Sequence, residues 1–313
     1  MPKRHSPRKG SLQVWPRKRA RRQYAKIRSW VSKKDTKLLG FGGYKAGMTH
    51  VMINDTSTAL TKGETITVPV TIIECPPLKV FSIRFYKNTN NGKIIVGELF
   101  SDKINKEVKR KTGISKKSKD SKDYDDIKVV VYTQPKLTKI KKKPEIFELA
   151  ISGDKEKGLG FAKQLLDREI NIRDVFKEGQ FIDVHSVTKG KGFQGTVKRY
   201  GVDIRQHKSE KTKRGIGTLG PFTPRKVNWR VPQPGKMGYH LRTEYNKWNM
   251  KIGRGDINMK GGFLGYGLVN NDYLMLKGSI AGARKRLVIM TEPLRERKPL
   301  QPDLKYISLE SKQ

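Results

Sequence analysis

A chain of 313 residues with a formal net charge of +39 and only 35% hydrophobic residues has room for one large domain or two smaller ones, and it must face a polyanion or repel itself. The single cysteine, Cys75, excludes a disulfide framework and a cysteine-based zinc cluster, and no apolar run approaches the roughly 18–20 residues of a membrane helix. The N-terminus, MPKRHSPRKGSLQVWPRKRARR, is basic without a hydrophobic segment and does not read as a secretory signal.

The charge is unevenly placed. Residues 1–37 carry fourteen Lys/Arg against one acid, Asp35, and residues 189–262 carry eighteen against four, so the two stretches hold +13 and +14. Neither is apolar enough to fold alone. Residues 1–37 read as an extended arm interrupted by Pro2, Pro7, Gly10 and Pro16, with a short helix expected over 19–31 on binding. Its candidates for contact with nucleic acid are Arg4, Arg8, Lys9, Trp15, Arg17, Arg19, Arg21 and Arg22.

The stretch 38–55, LLGFGGYKAGMTHVMIND, predicts two short strands with glycine turns. In 65–73, Ile66, Val68, Val70 and Ile72 alternate with Thr65, Thr67 and Thr71, the period of a half-buried strand. Pro69 on the polar face suggests a bulge or an edge. Cys75 in TIIECPP reads as a strand residue. Two further strands, 78–86 and 92–100, flank the turn NTNNG. Residues 101–175 read as an α/β insertion: a charged helix, an exposed loop, a strand at 127–132, a basic turn at 139–144, and a helix over 157–170 that places Phe161, Leu165 and Leu166 on one side. A strand follows at 178–187, and 263–269, 272–277 and 285–291 predict three closing strands, with a polar, irregular tail after Pro293.

Short, closely spaced strands favour a barrel or a sandwich. The expected division is an arm (1–37), a core from 38–100, 176–188 and 263–293, the insertion (101–175), a basic finger (189–262) and a C-terminal tail (294–313). The core is split, so 189–262 becomes a long excursion, a length that is usually functional or disordered.

Two motifs in the excursion carry chemistry. In TKGKGFQGTVKR (188–199), Gly190, Gly192 and Gly195 open the backbone to phosphates while Lys189, Lys191, Lys198 and Arg199 supply charge. The G-K-G-x-x-G spacing is not that of a nucleotide P-loop. Arg205, Lys213 and Arg214 continue the charge. In 214–248, Phe222, Trp229, Tyr239, Tyr245 and Trp248 interleave with Arg225, Lys226, Arg230, Lys236 and Arg242. Such rings either stack on splayed bases or pack a small core for the loop. Phe222, between Pro221 and Pro224, is the better contact candidate, and His240 is placed to bond a phosphate or a base. The five histidines show no metal-ligand spacing, Asp123, Asp125 and Asp126 read as a solvated loop, and no nucleophile elbow occurs. No cofactor, metal, small-molecule substrate or enzymatic activity is expected. The rivals are a nucleotide-using or RNA-modifying enzyme and a free DNA-compacting protein.

Several segments resemble one family. Phe176, Asp183, Ser186, Thr188, Gly190-Lys191-Gly192, Gly195 and Arg199 resemble its signature stretch, GFGGYKAGMTH (40–50) its first barrel segment, SPRKGSLQVWPRKRA (6–20) its N-terminal arm, and GKMGYHLRTEYN (235–246) the returning limb of its internal finger. The family is the large-subunit ribosomal protein L three family, in its archaeal or eukaryote-like form. The resemblance implies a mainly β fold with an α/β insertion, built on a translation-protein-type β-barrel with an extended arm and a long internal loop. It also implies a cytoplasmic structural constituent of the large ribosomal subunit that binds 23S-type rRNA, contacts neighbouring ribosomal proteins, acts early in assembly and reaches toward the peptidyl-transferase region, with Phe222 at the fingertip. Relatives are expected to carry Trp there. The histidine that eukaryotic members place upstream of the tip has no counterpart in Glu210-Lys211-Thr212-Lys213-Arg214.

Overall fold

A computed structural model describes residues 7–56, 58–113, 118–120 and 123–310. The chain forms β1 (Gly40–Asn54), β2 (Thr65–Glu74), β3 (Leu78–Thr89), β4 (Gly92–Phe100), β5 (Asp126–Tyr132), β6 (Ile146–Ala150), α1 (Lys155–Leu166), β7 (Glu169–Ile170), β8 (Phe181–Val187), β9 (Gly190–Gln194), α2 (Thr196–Tyr200), β10 (Gly235–Gly238), β11 (Leu241–Arg254), β12 (Asp272–Lys277), β13 (Leu287–Thr291) and β14 (Asp303–Ile307). These elements belong to two compact units. The larger is Gln23–Ser186 with Arg242–Gln313; the smaller joins the segment ending at Arg22 to Val187–Leu241.

The larger unit holds two antiparallel sheets. One has the order β13-β8-β11-β12-β2-β1-β14, with β13 also paired to β1 from Gly40↔Thr291 to Tyr44↔Leu287. The other has the order β4-β3-β5-β6, with β7 beside β3. Strands β1 to β4, all expected in one core, are therefore divided between the sheets. Pro76-Pro77 lies at the division, where two residues without N–H groups cannot continue the ladder.

Within 38–55 the chain forms one continuous strand, Gly40–Asn54, not two. Its glycines serve close packing instead of turning. A Cβ on Gly43 would sit 2.6 Å from Ile73 Cγ2 and 2.8 Å from Cys75 Sγ, and one on Gly47 would sit 2.5 Å from the Phe263 ring. The strand bends at a register shift between Lys45 and Gly47. In β2 the alternation holds as far as Val70, after which every residue to Glu74 is buried, over the span where β2 pairs with β12 as well as with β1. Pro69 is at no bulge but lies at a local edge, one residue beyond the β12 pairing that ends at Lys277↔Val70. Its carbonyl accepts the Gly278 N–H at 2.7 Å, just past the end of β12. A residue's N–H and C=O point the same way from a strand, so the missing N–H falls where no β12 acceptor remains.

Other expectations change for local reasons. Leu241–Arg254, expected in the excursion, is the strand between β8 and β12. Trp248, Met250 and Ile252 are buried at period two, a pattern masked by the intervening Asn249 and Lys251. Trp248 is thereby a core residue, its Nε1 donating to Leu300 O at 2.8 Å. No strand forms at 263–269, where Gly262, Gly265 and Gly267 adopt positive φ and Phe263 pairs back on Gly267. The tail expected to be irregular supplies β14, which pairs with β1. The charged helix of the insertion is one 3-10 segment, Lys106–Arg110, with Val108 its buried residue, and 19–31 contains no helix. In α1, Ala162 and Leu165 are buried, while Phe161 and Leu166 are half-buried against the core.

Three buried carboxylates organise the larger unit. Glu74 accepts the N–H groups of Asn270 and Asn271, both at 2.9 Å, and the Tyr266 hydroxyl. Asp183 accepts the N–H of Asn246 at 2.7 Å and of Leu294 at 2.9 Å, holding β8 and β11 where the chain leaves for the smaller unit and returns. Glu292 takes Lys33 at 3.0 Å, Lys37 at 2.7 Å and Gln180 at 2.8 Å. Burial alone would raise the Glu292 carboxyl, but these hydrogen bonds and the lysine charge outweigh it and hold it below the usual glutamate range. The second half of the arm is thus fastened to the larger unit, with Ala25 buried there.

Candidate nucleic-acid interface

The smaller unit begins as a ribbon. Within the motif 188–199, Gly190–Gln194 forms β9, which pairs antiparallel with β10, Gly235↔Gln194 and Lys236↔Phe193, so the two ends of the long loop are joined. Thr188 and His240 extend the pairing: the Thr188 N–H donates to His240 O at 2.9 Å. The turn of helix α2 follows β9 and stops at Gly201, whose φ of +68° suits the left-handed C-terminal position that glycine fills without steric cost.

Tyr200, the last residue of α2, is buried and is the hub of this unit. Trp15 of the arm stacks on it at 5.9 Å and 15°. The Arg17 guanidinium lies 4.3 Å from its ring centroid and that of Arg199 lies 5.0 Å away. Gly10 has room only for hydrogen beside the same ring. The arm is further tied to the loop by the Ala20 N–H, which donates to Tyr239 O at 2.8 Å, and by the Lys9–Asp203 ion pair at 3.6 Å. His240 Nδ1 lies 2.7 Å from Lys18 O. A carbonyl only accepts, so that nitrogen carries the proton.

The predicted site residues separate into two groups. In the first, the side chains are either hydrogen-bonded within the chain or at least half-buried. Arg199 donates through Nε to Lys236 O at 3.1 Å and through Nη1 to Gln233 O at 2.7 Å. Arg205 reaches Ile216 O, and Arg8 bonds Lys9 O at 2.9 Å and also reaches Arg230 O. His240 is buried, and Trp15 is half-buried between Tyr200 and Trp229. Lys236 is half-buried; desolvation, with the neighbouring Arg19 charge, holds its ammonium below the usual lysine range. Arg242 is half-buried on β11, in the larger unit.

In the second group the side chains face solvent. Arg19, Arg21, Arg22, Lys189, Lys191, Lys198, Lys213 and Arg214 are exposed, as is every residue from Pro221 to Arg230. Phe222 is 76% exposed and Trp229 59%, far more than rings built to pack a core. Each carries a cation: Arg225 lies 4.5 Å from the Phe222 centroid and Arg230 lies 5.4 Å from that of Trp229. The structure adds Phe193, equally exposed at 76%, which the sequence reading passed over. Its signal was an aromatic in a ribbon of Gly, Lys and Gln with no apolar neighbour to pack against. Arg4 lies outside the described residues.

Electrostatically this unit is one-sided. Residues 187–241 carry thirteen Lys/Arg against Asp203 and Glu210, and 7–22 add seven with no acid. Exposed rings each flanked by a guanidinium, on a stem held by backbone hydrogen bonds, suit a sequence-tolerant hold on an unpaired or irregular polynucleotide. Among the described residues, no helix is long and apolar enough to cross a membrane and no group of three His, Cys, Asp or Glu is arranged to hold a metal ion.

Comparison with known proteins places the chain. The family described as Ribosomal protein L3 matches residues 1–313. The chain is 43% identical to the large ribosomal subunit protein uL3 of Methanobrevibacter smithii, covering 100% of this chain and 99% of that protein. It is 45% identical to that of Methanocaldococcus jannaschii, covering 98% and 97%, and 44% identical to that of Picrophilus torridus, covering 99% and 98%. The chain belongs to the ribosomal protein L3 family, whose members are structural ribosomal components and not enzymes.

Proposed function

We propose that this protein is a structural constituent of the large ribosomal subunit in the cytoplasm, and that it binds 23S-type rRNA through the arm and the loop between β8 and β11. The observation that carries the reading is the segment Pro221–Arg230, exposed throughout, with Phe222 and Trp229 each beside a guanidinium. Solvent-facing rings of this kind cost stability in a free monomer and are repaid by stacking on bases. Lys189, Lys191, Lys198, Lys213, Arg214, Arg225 and Lys226, with Arg19, Arg21 and Arg22, supply phosphate contacts; Trp15, Arg199, Arg205 and His240 position the segments that make them.

The six strands β13-β8-β11-β12-β2-β1 close on themselves as a barrel, a reading supported by the second pairing of β13 with β1. The loop around Phe222 is the part that reaches toward the peptidyl-transferase region, and the protein acts early in subunit assembly beside neighbouring ribosomal proteins, as the family resemblance implies. Phosphate contacts dominate such binding and carry little sequence information.

Salt titration tests this. The full chain is bound to large-subunit rRNA fragments at increasing KCl. With ~6–10 phosphate contacts, affinity falls about 10³–10⁵-fold between roughly 50 and 200 mM salt. A flat response overturns the reading.

A further inference from the structure

The smaller unit contains a cavity of about 290 Å³ lined by Gly195, Thr196, Arg214, Gly215, Ile216, Gly217, Leu219, Gln233 and Pro234. We propose that this cavity receives one unstacked RNA base, making it a second recognition point beside the exposed rings. The proposal rests on the reading that the loop binds RNA, and it adds where a base is held.

Size selects the class of ligand. A water molecule takes about 30 Å³ and drug-sized ligands use pockets of ~300–1,000 Å³, so this volume suits a single heterocycle. Chemistry selects a base over a phosphate. The walls include Ile216, Leu219 and Pro234, no carboxylate, and one cation, Arg214. A bare phosphate is held by several cations or converging N–H groups, whereas a base needs apolar faces and a few polar groups at its edge. The Gln233 amide offers both a donor and an acceptor for such an edge. Arg214, exposed at the rim, faces the backbone phosphate of the same nucleotide.

The walls are tied together. Thr196 Oγ1 donates to Arg214 O at 3.1 Å, joining α2 to the far wall. The Arg205 N–H donates to Lys213 O at 3.0 Å and its guanidinium reaches Ile216 O. Arg199 holds Gln233 O at 2.7 Å. A Cβ at Gly195 or Gly217 would meet nothing within 4 Å, so a side chain can begin at either position without pressing on its neighbours. Position 217, a lining residue, is therefore the place to test whether a large side chain fills the space.

The test is ultraviolet cross-linking of the full chain to deproteinised large-subunit rRNA, followed by mass spectrometry of nucleotide-bearing peptides. The expected result is an adduct within 214–219 or 233–234 in addition to adducts at Phe222 or Trp229. Gly217→Leu should reduce the cavity adduct at least fivefold while the ring adducts stay within about twofold, the two proteins being compared at equal amounts of bound RNA. Leu219→Glu, at a site 43% exposed, should do the same by placing a carboxylate at the mouth. Adducts at the rings without any at the cavity walls overturn the cavity proposal alone, as does a wall adduct that survives both variants. Failure of the wild-type chain to bind rRNA overturns the underlying RNA reading instead.

Discussion

Arg199 separates two roles that sequence alone leaves merged. As a charge facing RNA it would be replaceable by lysine. As the clamp between α2 and β10 it would not, because it spans two carbonyls, Lys236 O at 3.1 Å and Gln233 O at 2.7 Å, while stacking on Tyr200. A hydrogen bond from a charged donor contributes about 1.5–3 kcal/mol. Arg199 is half-buried, so the lower end applies, and the two bonds together contribute about 3 kcal/mol to closure of the ribbon. At ~1.4 kcal/mol per tenfold, Arg199→Ala should speed hydrogen exchange of the β9 and β10 amides roughly 100-fold, and Arg199→Lys, which can keep one bond, about tenfold. Lys198→Ala, at the exposed neighbour, should leave exchange unchanged. RNA binding should divide the same residues differently. Lys198→Ala should lower the slope of log affinity against log salt by about 0.7–0.9, the signature of one lost phosphate contact. Arg199→Lys should weaken binding with the slope intact. If Arg199→Lys matches the wild type in exchange and affinity while Arg199→Ala loses slope, the clamp assignment is wrong.

Three further outcomes follow from the same contacts. Phe222→Ala should leave the unfolding midpoint unchanged, because the ring is 76% exposed, yet weaken rRNA binding by about 1–3 kcal/mol, or roughly 5–150-fold, if the ring stacks on a base. Gly43→Ala should destabilise the larger unit by about 1–3 kcal/mol in denaturant titration, because its Cβ would press to 2.6 Å from Ile73 and 2.8 Å from both Cys75 Sγ and the Glu74 carbonyl. The Glu292 carboxyl is held below its unfolded value of about 4.3, so its stabilisation is complete above that pH and is lost as pH falls through the lowered folded value. Glu292→Gln should therefore flatten the acid limb of the pH–stability curve. An acid limb as steep as the wild type's would refute the Lys33–Glu292–Lys37 account.

Much of the fold was legible where local pattern and environment agree. The alternation in 65–70 reads directly as β2, and NTNNG reads as the turn between β3 and β4. What escaped were positions where a neighbour decides. Glycines in 40–47 look like turns in sequence because a turn and a close packing contact both require hydrogen in place of a side chain. Phe263 and Ile73, distant in sequence, settle which applies. The polar residues of 241–247 hid the core strand β11 behind a basic composition. Residues 303–307 carry little apolar signal because β14 is an edge strand, paired among the described residues with β1.

The candidate site divides in the same way. Composition by itself pointed to a polyanion partner, since residues 7–22 and 187–241 set twenty Lys/Arg against two acids. The order of glycine, proline, aromatic and basic residues pointed to a shaped loop and to the family. Tertiary structure alone decided which cations are available. Arg199 and Arg205 look no different in sequence from Lys198, Lys213 and Arg214, but their partners are carbonyls supplied from elsewhere in the unit. A charge is a property of a residue. Whether it is spent inside the protein depends on which acceptors folding brings within about 3 Å.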